Sequence, residues 1–269
     1  MEKRLRIGIL GYLLVAGISV ACGRNISRGQ QKIDGKGPQV TESGSLKALN
    51  SIRLEAPITV ELVEGSDWTY TITGCRNQID LIRIDASGGE LLISTAQQNV
   101  RFRDDQPVRM TVTAPRTPRD VKVSSMGTLN ISRPTDATDF SLKTSGMGKV
   151  LISELGADKL AVGATGMSKI EIGDLLTDDL VVDMSGMSNF SASGRTVRLK
   201  VDVSGMSHLG LSGLTASESE CTVGGMSHAE VHADRVLRCH VSGMSHLTYS
   251  GSASDVRKEV SGMSHVHAK

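Results

Sequence analysis

The sequence predicts an all-β protein that folds as a single-stranded, right-handed parallel β-helix of about eight rungs of about 20 residues, preceded by a less regular β segment. The first observation is the motif Ser-Gly-Met-Ser-His, which recurs with small changes through the second half of the chain. The methionines of its eight copies, from Met126 to Met263, are 21, 20, 20, 19, 20, 18 and 19 residues apart. The second observation is the alternation of apolar and polar residues between the motifs, which excludes a helical repeat. Right-handedness is expected because parallel crossover connections nearly always have that hand.

The alternation defines strands that bury one face. Counted from the glycine of each motif, the apolar places lie six, four and two residues before it and four and six residues after it. One copy cannot bury its own apolar face, so the copies must stack, with equivalent residues roughly 4.8 Å apart. This register predicts almost complete burial of Leu180, Val182, Leu199, Val201, Val203, Leu209 and Leu211.

The glycine of each motif is predicted to turn a corner between two strands. A corner needs a residue that tolerates a positive φ angle or that brings no Cβ into the turn. Ser125 stands in this place in the first copy, which is therefore expected to be an imperfect rung. The predicted corner glycines are Gly146, Gly166, Gly186, Gly205, Gly225, Gly243 and Gly262.

Residues 1–21 are predicted to be a lipoprotein signal peptide. A short basic start is followed by the apolar run from Ile7 to Ala21, which is too short to span a membrane. The end of this run, Ser19-Val-Ala-Cys22, is similar to a bacterial lipobox, which implies lipidation of Cys22 and a membrane anchor that does not cross the bilayer. The alternative is an ordinary signal peptide that is cleaved nearby.

The rest of the chain divides into three predicted parts. Residues 22–44 hold the lipidated cysteine and a polar stretch without apolar periodicity, which predicts a flexible tether. Residues 45–120 are rich in strands but lack the 20-residue period, and we expect an irregular β segment that caps one end of the solenoid. Residues 121–269 form the regular repeats. A net charge of +1 and an aromatic content of 3% argue against a nucleic-acid partner.

A series of individually weak motifs runs in a fixed order through residues 45–266. It contains Leu49-Asn-Ser-Ile-Arg-Leu, Val60-Glu-Leu-Val-Glu-Gly, Gly89-Glu-Leu-Leu-Ile-Ser and Val112-Thr-Ala-Pro, and then the serial Ser-Gly-x-[Gly/Ser]-x-apolar copies. In this order of motifs the chain resembles the auto-transporter adhesins with a head GIN domain, a family common in Bacteroidetes. The resemblance implies a β-helical envelope lipoprotein, and it leaves the molecular activity open. The methionine after each corner glycine departs from the serine or alanine expected in the family.

The function predicted from these features is that of an envelope-anchored lipoprotein whose rigid β-helix is a non-catalytic surface for binding, adhesion or scaffolding. The expected partners are the bacterial membrane, through the lipid anchor, and a glycan or an envelope protein. No cofactor is expected. The stretch after Cys22 is basic rather than acidic, which favours the periplasmic face of the outer membrane over the cell surface.

An alternative function is that of a carbohydrate-active β-helix enzyme, a lyase or a hydrolase. Such enzymes need clustered carboxylates, and the outward row three places before the corner glycines offers two neighbouring acids, Asp183 and Asp202, among mixed residues. No long insertion interrupts the repeats to build a cleft. No catalytic residue is therefore assigned.

A second alternative is a weak metal-binding surface. His208, His228, His246 and His265 stand three places after their corner glycines and are predicted to form a ladder on one outer edge. The favoured interpretation assigns no metal to this row. Neighbouring pairs could instead bind Zn²⁺ or copper, and methionine sulfurs could join them for Cu(I) only if the methionines face outward. Burial of the methionines is favoured, because eight exposed methionines would form a large apolar stripe.

Two further features leave alternatives open. Cys221 and Cys239 are predicted to stack inside the solenoid as buried thiols, since neighbouring in-register strands have poor geometry for the alternative, a disulfide. The last rung ends near Ala268 without a separate cap. Its open edge predicts either a homo-oligomer formed end to end or protection by the charges of Lys258 and its neighbours.

Overall fold

The computed structural model describes residues 31–103 and 107–269, so the predicted signal peptide and Cys22 lie outside the described residues. Within the described part the structure is all-β, with one turn of helix, α1 (Arg76–Ile79), among the strands. The strands of the first half are β1 (Gln31–Ile33), β2 (Gln39–Ser45), β3 (Ser51–Leu54), β4 (Thr59–Glu64), β5 (Thr69–Cys75), β6 (Ile82–Ser87), β7 (Glu90–Thr95), β8 (Val100–Phe102) and β9 (Arg109–Ala114). The strands of the second half are β10 (Asp120–Val123), β11 (Thr128–Ile131), β12 (Thr135–Thr144), β13 (Lys149–Ala164), β14 (Lys169–Met184), β15 (Asn189–Val203), β16 (His208–Val223), β17 (His228–Val241), β18 (His246–Ser250), β19 (Asp255–Val260) and β20 (His265–Ala268).

The strands of the second half stack in parallel, each beside its equivalent in the next turn. Leu160 pairs with Leu180, and Leu180 pairs with Leu199. The predicted fold, a β-solenoid with rungs of about 20 residues and a less regular N-terminal region, is confirmed. The regular part has about seven turns rather than eight, because the first motif copy connects the short strands β10 and β11. These two strands pair with β3 and β4 and so join the solenoid to the N-terminal region.

Each regular turn has three sides. Along β13, buried and outward residues alternate except at Ser153–Glu154 and Asp158–Lys159, where two neighbours are both exposed. A pair of consecutive outward residues requires the strand to bend before the next apolar side chain can face inward. The two bends and the motif corner therefore divide a turn into three sides, which in this turn are residues 148–152, 155–157 and 160–164.

The inward rows form one continuous core along the solenoid. All seven residues predicted to be buried are at most 2% exposed, which confirms the register derived from the repeat. The core continues into the N-terminal region through residues such as Ile52, Leu91 and Val112. The solenoid is therefore a solid prism, and its functional groups must lie on its outer sides.

The seven predicted corner glycines all adopt the left-handed conformation, with φ between 64° and 81°. The corners also stack closely, because a Cβ added to Gly166 would lie 2.6 Å from the carbonyl oxygen of Gly146. Ser125, which takes the glycine's place in the first copy, has a φ of 61°. Both the turn and the close stacking thus explain why glycine occupies this position.

The methionines after the corners face outward, so the prediction that they are buried is wrong. The residue that follows each methionine takes the inward place instead. It is Gly148 after Met147 and a serine after each of the six later methionines. The hydroxyls of Ser188 and Ser207 donate to the carbonyls of Ser185 and Ser204, each at 2.9 Å. The methionines, here called the methionine stripe, are between 45% and 68% exposed: Met147, Met167, Met187, Met206, Met226, Met244 and Met263.

The prediction of a flexible tether is wrong for residues 31–44. Strand β1 pairs with β8, and β2 forms a seven-residue antiparallel ladder with β5. Side chains also meet across that ladder, where the Thr41 and Thr73 hydroxyls are 3.0 Å apart. Most residues of β2 are exposed, so backbone pairing holds this strand and apolar burial does not, which explains why composition could not reveal it.

Lys258 covers the C-terminal end of the core. It pairs with Cys239, so it occupies an inward place in the last full turn. Its ammonium group donates to the Tyr249 hydroxyl at 2.7 Å and lies 4.5 Å from the centre of that ring. Nearby Val260 is 48% exposed. An inward charge at the end of a sheet is a known protection against edge-to-edge pairing.

Replacing Lys258 with Val is expected to cause end-to-end association, because it removes this charge and leaves an apolar edge open. Light scattering should then show an apparent mass that rises with protein concentration, while the wild type stays monomeric. Arg257→Val is the control, since Arg257 is an exposed neighbour on the same strand. A Lys258→Val protein that stays monomeric would contradict the protective role, and a dimeric wild type would favour the end-to-end dimer.

Candidate functional site

A groove of about 770 Å³ runs along one bend of the solenoid. It crosses strands from β10 to β17, and we call it the corner groove. One side of it is a row of charged residues seven places before the corner glycines. This charge row consists of Asp139, Lys159, Asp179, Arg198 and Glu218.

The charge row alternates in sign from one turn to the next. Asp179 pairs with both Lys159 and Arg198 in the β-ladders on its two sides. The Arg198 guanidinium holds the Asp179 carboxylate with two hydrogen bonds, from Nε and, at 2.6 Å, from Nη2. These bonds from Arg198, with smaller help from the nearby positive charges, hold the pKa of the Asp179 carboxyl below its usual range. Asp179 and Arg198 therefore form a hydrogen-bonded ion pair within the charge row.

The floor of the corner groove is uncharged in its N-terminal half and charged in its C-terminal half. Its residues lie five places before the corner glycines, and Val181 among them is 47% exposed. Phe140 lines the groove but is only 2% exposed, so it offers no aromatic face. The floor consists of Ser141, Ala161, Val181, Lys200, Glu220 and Arg238. The repeat alignment contained this pattern, but it could not show that the bend makes the surface concave.

The two acids considered for an enzyme, Asp183 and Asp202, are neighbours as predicted. Their row continues with Gly163 on one side and Thr222 on the other, so no third carboxylate stands next to them. Neither acid lines the corner groove. The pair therefore has no further carboxylate beside it in its row and lies outside the corner groove.

The methionine stripe runs along the motif corner. Successive corners are joined by backbone hydrogen bonds, for example from the Met206 amide to the Gly186 carbonyl and from the Met226 amide to the Gly205 carbonyl, both 2.7 Å. At its N-terminal end the stripe borders a shallow groove of about 410 Å³, together with Asn99 and Val100. The stripe is a continuous apolar surface, of the kind that marks interaction sites.

The four candidate histidines form a stacked ladder, as the repeat predicts. The centres of successive imidazole rings are 5.2 Å, 6.4 Å and 5.2 Å apart from His208 to His265. Nε2 of His228 is 3.5 Å from a carboxylate oxygen of Glu230. In the described parts of the chain, no three His, Cys, Asp or Glu side chains come together as a group that could hold a metal ion.

Cys221 and Cys239 lie inside the solenoid as register partners. They are buried, at 1% and 5% exposure, and they are not joined in a disulfide. Burial raises the pKa of the Cys221 thiol to about 12 and also raises that of Cys239. The interpretation of both residues as buried thiols that fill the core is confirmed.

The membrane anchor predicted at Cys22 lies outside the described residues. Across residues 31–103 and 107–269, the structure contains no helix of the length and apolarity needed to cross a membrane.

Comparison with solved structures supports the fold. An adhesin described as putative from Parabacteroides distasonis matches 89% of this chain and all of its own chain, with 20% identity and a TM-score of 0.80. A protein from the same species described as "Putative lipid binding protein" matches the same shares, with 20% identity and a TM-score of 0.77. An adhesin described as putative from Bacteroides fragilis matches 88% of this chain and all of its own, with 18% identity and a TM-score of 0.67. At these identities the likeness shows the fold alone.

A search of curated proteins finds no match. The profile of one protein family matches residues 48–253, which is more than half of the chain. The resemblance inferred from the ordered motifs is thus confirmed, and the chain belongs to the family described as "Putative auto-transporter adhesin, head GIN domain".

Proposed function

We propose that the protein is an envelope-anchored, non-catalytic binding module whose ligand lies along the corner groove. The observation that carries this proposal is the groove itself, where a row of alternating charges lies beside a floor that is apolar at Ala161 and Val181 and charged in its C-terminal half. The ordered ladder of the solenoid holds these groups at a spacing of roughly 4.8 Å, so the surface is rigid before a ligand arrives. Pre-organised surfaces lose less conformational entropy on binding.

The ligand that fits this groove is an extended polypeptide of the envelope. Alternating charges can pair with charged side chains of such a chain, and Ala161 and Val181 can contact its apolar side chains. A glycan, the other expected partner, is usually held by exposed aromatic faces, which the buried Phe140 does not supply. The groove therefore favours a protein partner over a glycan.

Anchorage completes the proposal. Cys22 would carry the lipid and hold the solenoid at the outer membrane, with the periplasmic face favoured, and this part rests on the sequence alone. The non-catalytic role is supported by the isolated position of Asp183 and Asp202 and by the description of the family as adhesins. A carbohydrate-active enzyme would require a cleft around those acids.

The groove can be tested with Val181→Arg combined with Ala161→Arg, which fills the apolar floor with positive charge. Both residues face outward, so the fold should remain intact. Immobilised protein is incubated separately with solubilised envelope proteins and with purified envelope polysaccharide. We expect the wild type to retain a defined envelope protein and the double variant to retain it at least about tenfold less.

The matched control for that experiment is Leu151→Arg combined with Ser191→Arg, which adds the same two positive charges on another side of the solenoid. Equal binding by the Val181→Arg, Ala161→Arg variant and the wild type would contradict the groove as the binding surface. If the wild type retains the polysaccharide and this variant does not, the ligand of the corner groove is a glycan rather than a protein.

Lipid binding is a second candidate, favoured by the shallow groove at the N-terminal end of the methionine stripe. Met147, Met167 and Met187 border this groove, and their apolar side chains could contact an acyl chain. One structural relative is also described as a lipid-binding protein. Phospholipid vesicles can be used as a third arm of the same experiment. If lipid is a ligand of the shallow groove, the wild type and the Val181→Arg, Ala161→Arg variant should retain the vesicles equally.

A further inference from the structure

The methionine stripe and the histidine ladder run side by side only in the C-terminal half of the solenoid. In four successive turns the order is an outward methionine, an inward serine and an outward histidine. The outward Met and His of one turn are therefore separated by a single inward serine, where the corner ends and the next strand begins. These four pairs, here called the Met–His pairs, are Met206 with His208, Met226 with His228, Met244 with His246 and Met263 with His265.

We propose that neighbouring Met–His pairs bind Cu(I). Two stacked pairs present two thioether sulfurs and two imidazoles on neighbouring turns, and the imidazole centres of neighbouring turns are 5.2 to 6.4 Å apart. Methionine has three rotatable side-chain bonds, and the methionines of these pairs are 46% to 68% exposed. The side chains are thus free to turn towards an ion between two rungs.

The donor set selects a soft monovalent ion. Thioether sulfur favours Cu(I), while imidazole accepts copper as well as zinc. Structural Zn²⁺ sites are almost always built from four thiolate, imidazole or carboxylate ligands. In the described residues no three side chains of those types are gathered in one place. A surface that offers sulfur and nitrogen in equal number therefore fits Cu(I) better than Zn²⁺.

The N-terminal half of the methionine stripe provides a comparison for this site within the same chain. Met147, Met167 and Met187 are exposed to a similar extent, yet the places of the histidines are taken there by Lys149, Lys169 and Asn189. A lysine ammonium has no free electron pair and repels a cation. The N-terminal half of the stripe therefore keeps the apolar surface but lacks the nitrogen donors.

The test is an anaerobic titration of the tag-free, detergent-solubilised full chain with Cu(I), in competition with a coloured Cu(I) chelator. We expect about two ions per chain, because four pairs form two separate neighbouring sets. Replacing Met206, Met226, Met244 and Met263 with Leu should weaken binding at least about tenfold. Replacing the four histidines with Asn, the residue that already stands at position 189, should do the same.

The control is Met147→Leu combined with Met167→Leu and Met187→Leu, which should leave Cu(I) binding unchanged. Circular dichroism establishes that each variant keeps its strands. The proposal is overturned if the wild type does not compete with the chelator, or if the control weakens binding as much as the four C-terminal substitutions. Unchanged binding after removal of the histidines would also overturn it. None of these outcomes depends on a ligand in the corner groove.

Discussion

Val201→Asp is expected to destabilise the solenoid by roughly 3–5 kcal/mol, a large part of the 5–15 kcal/mol that typically holds a domain together. Val201 is 2% exposed, and its row neighbours are Val182 and Cys221. An aspartate there would bury a carboxylate without a partner in the middle of the stack. Thermal unfolding followed by circular dichroism should show a midpoint many degrees below that of the wild type, or no folded protein.

Lys200→Asp is the matched control for this substitution. Lys200 is the preceding residue, faces outward and makes only a long contact of 3.9 Å with Glu220. The same carboxylate on the outer side should change stability by less than about 1 kcal/mol. Equal unfolding midpoints for Val201→Asp and Lys200→Asp would show that the inward and outward rows have been assigned wrongly.

Gly166→Ala is expected to be the second most damaging change, with a loss of at least about 2 kcal/mol. Gly166 has a φ of 76°, which alanine adopts only at a cost. The new Cβ would also lie 2.6 Å from the carbonyl oxygen of Gly146, and both backbones are held by the Met167 amide, which donates to that same oxygen at 2.6 Å. Denaturant unfolding of the purified variant measures the loss.

Gly163→Ala separates the effect of the corner from that of any added methyl group. Gly163 stands three residues earlier, near the end of β13, and the nearest atom to its added Cβ is a side-chain carbon of Lys143 at 3.6 Å. That variant should be as stable as the wild type or slightly more so. If both alanine variants unfold at the same denaturant concentration, the close stacking of the corners does not limit stability.

The fold could be predicted because the chain repeats the same choice many times. Each turn places apolar residues at the same distances along the chain from its glycine. A single polar residue at an inward place, such as Ser219, therefore does not prevent the register from being recognised. Strand β2 has no such repetition. It is held by backbone pairing with β5, which leaves no mark in the composition.

The burial predicted for the methionines is wrong because the cost of an exposed apolar stripe was given more weight than the alternation of the strand. Serine is usually the outward residue of a pair with methionine. At this corner, however, the Ser188 hydroxyl finds a carbonyl of its own turn at 2.9 Å, which removes most of the cost of burying it. Strict alternation from Met184 would have placed Met187 and its equivalents correctly on the outside.

The candidate surfaces could be predicted only in part from the sequence. The histidine ladder follows directly from the repeat, since one position recurs in every turn. The alternating signs of Asp139, Lys159, Asp179, Arg198 and Glu218 were also present in the aligned copies. Their position at a bend, which makes the surface concave, depends on the two neighbouring exposed residues Asp158 and Lys159, whose geometry appears only in the folded chain.

Site-specific photo-crosslinking in intact cells tests the location of the binding surface most directly. A photoreactive amino acid is placed at position 181, on the floor of the corner groove, and in a second strain at position 151, on another side of the same turns. We predict one discrete crosslinked envelope protein from position 181 and none from position 151. The same crosslinked product from both positions, or a product from position 151 alone, would contradict a ligand held in the corner groove.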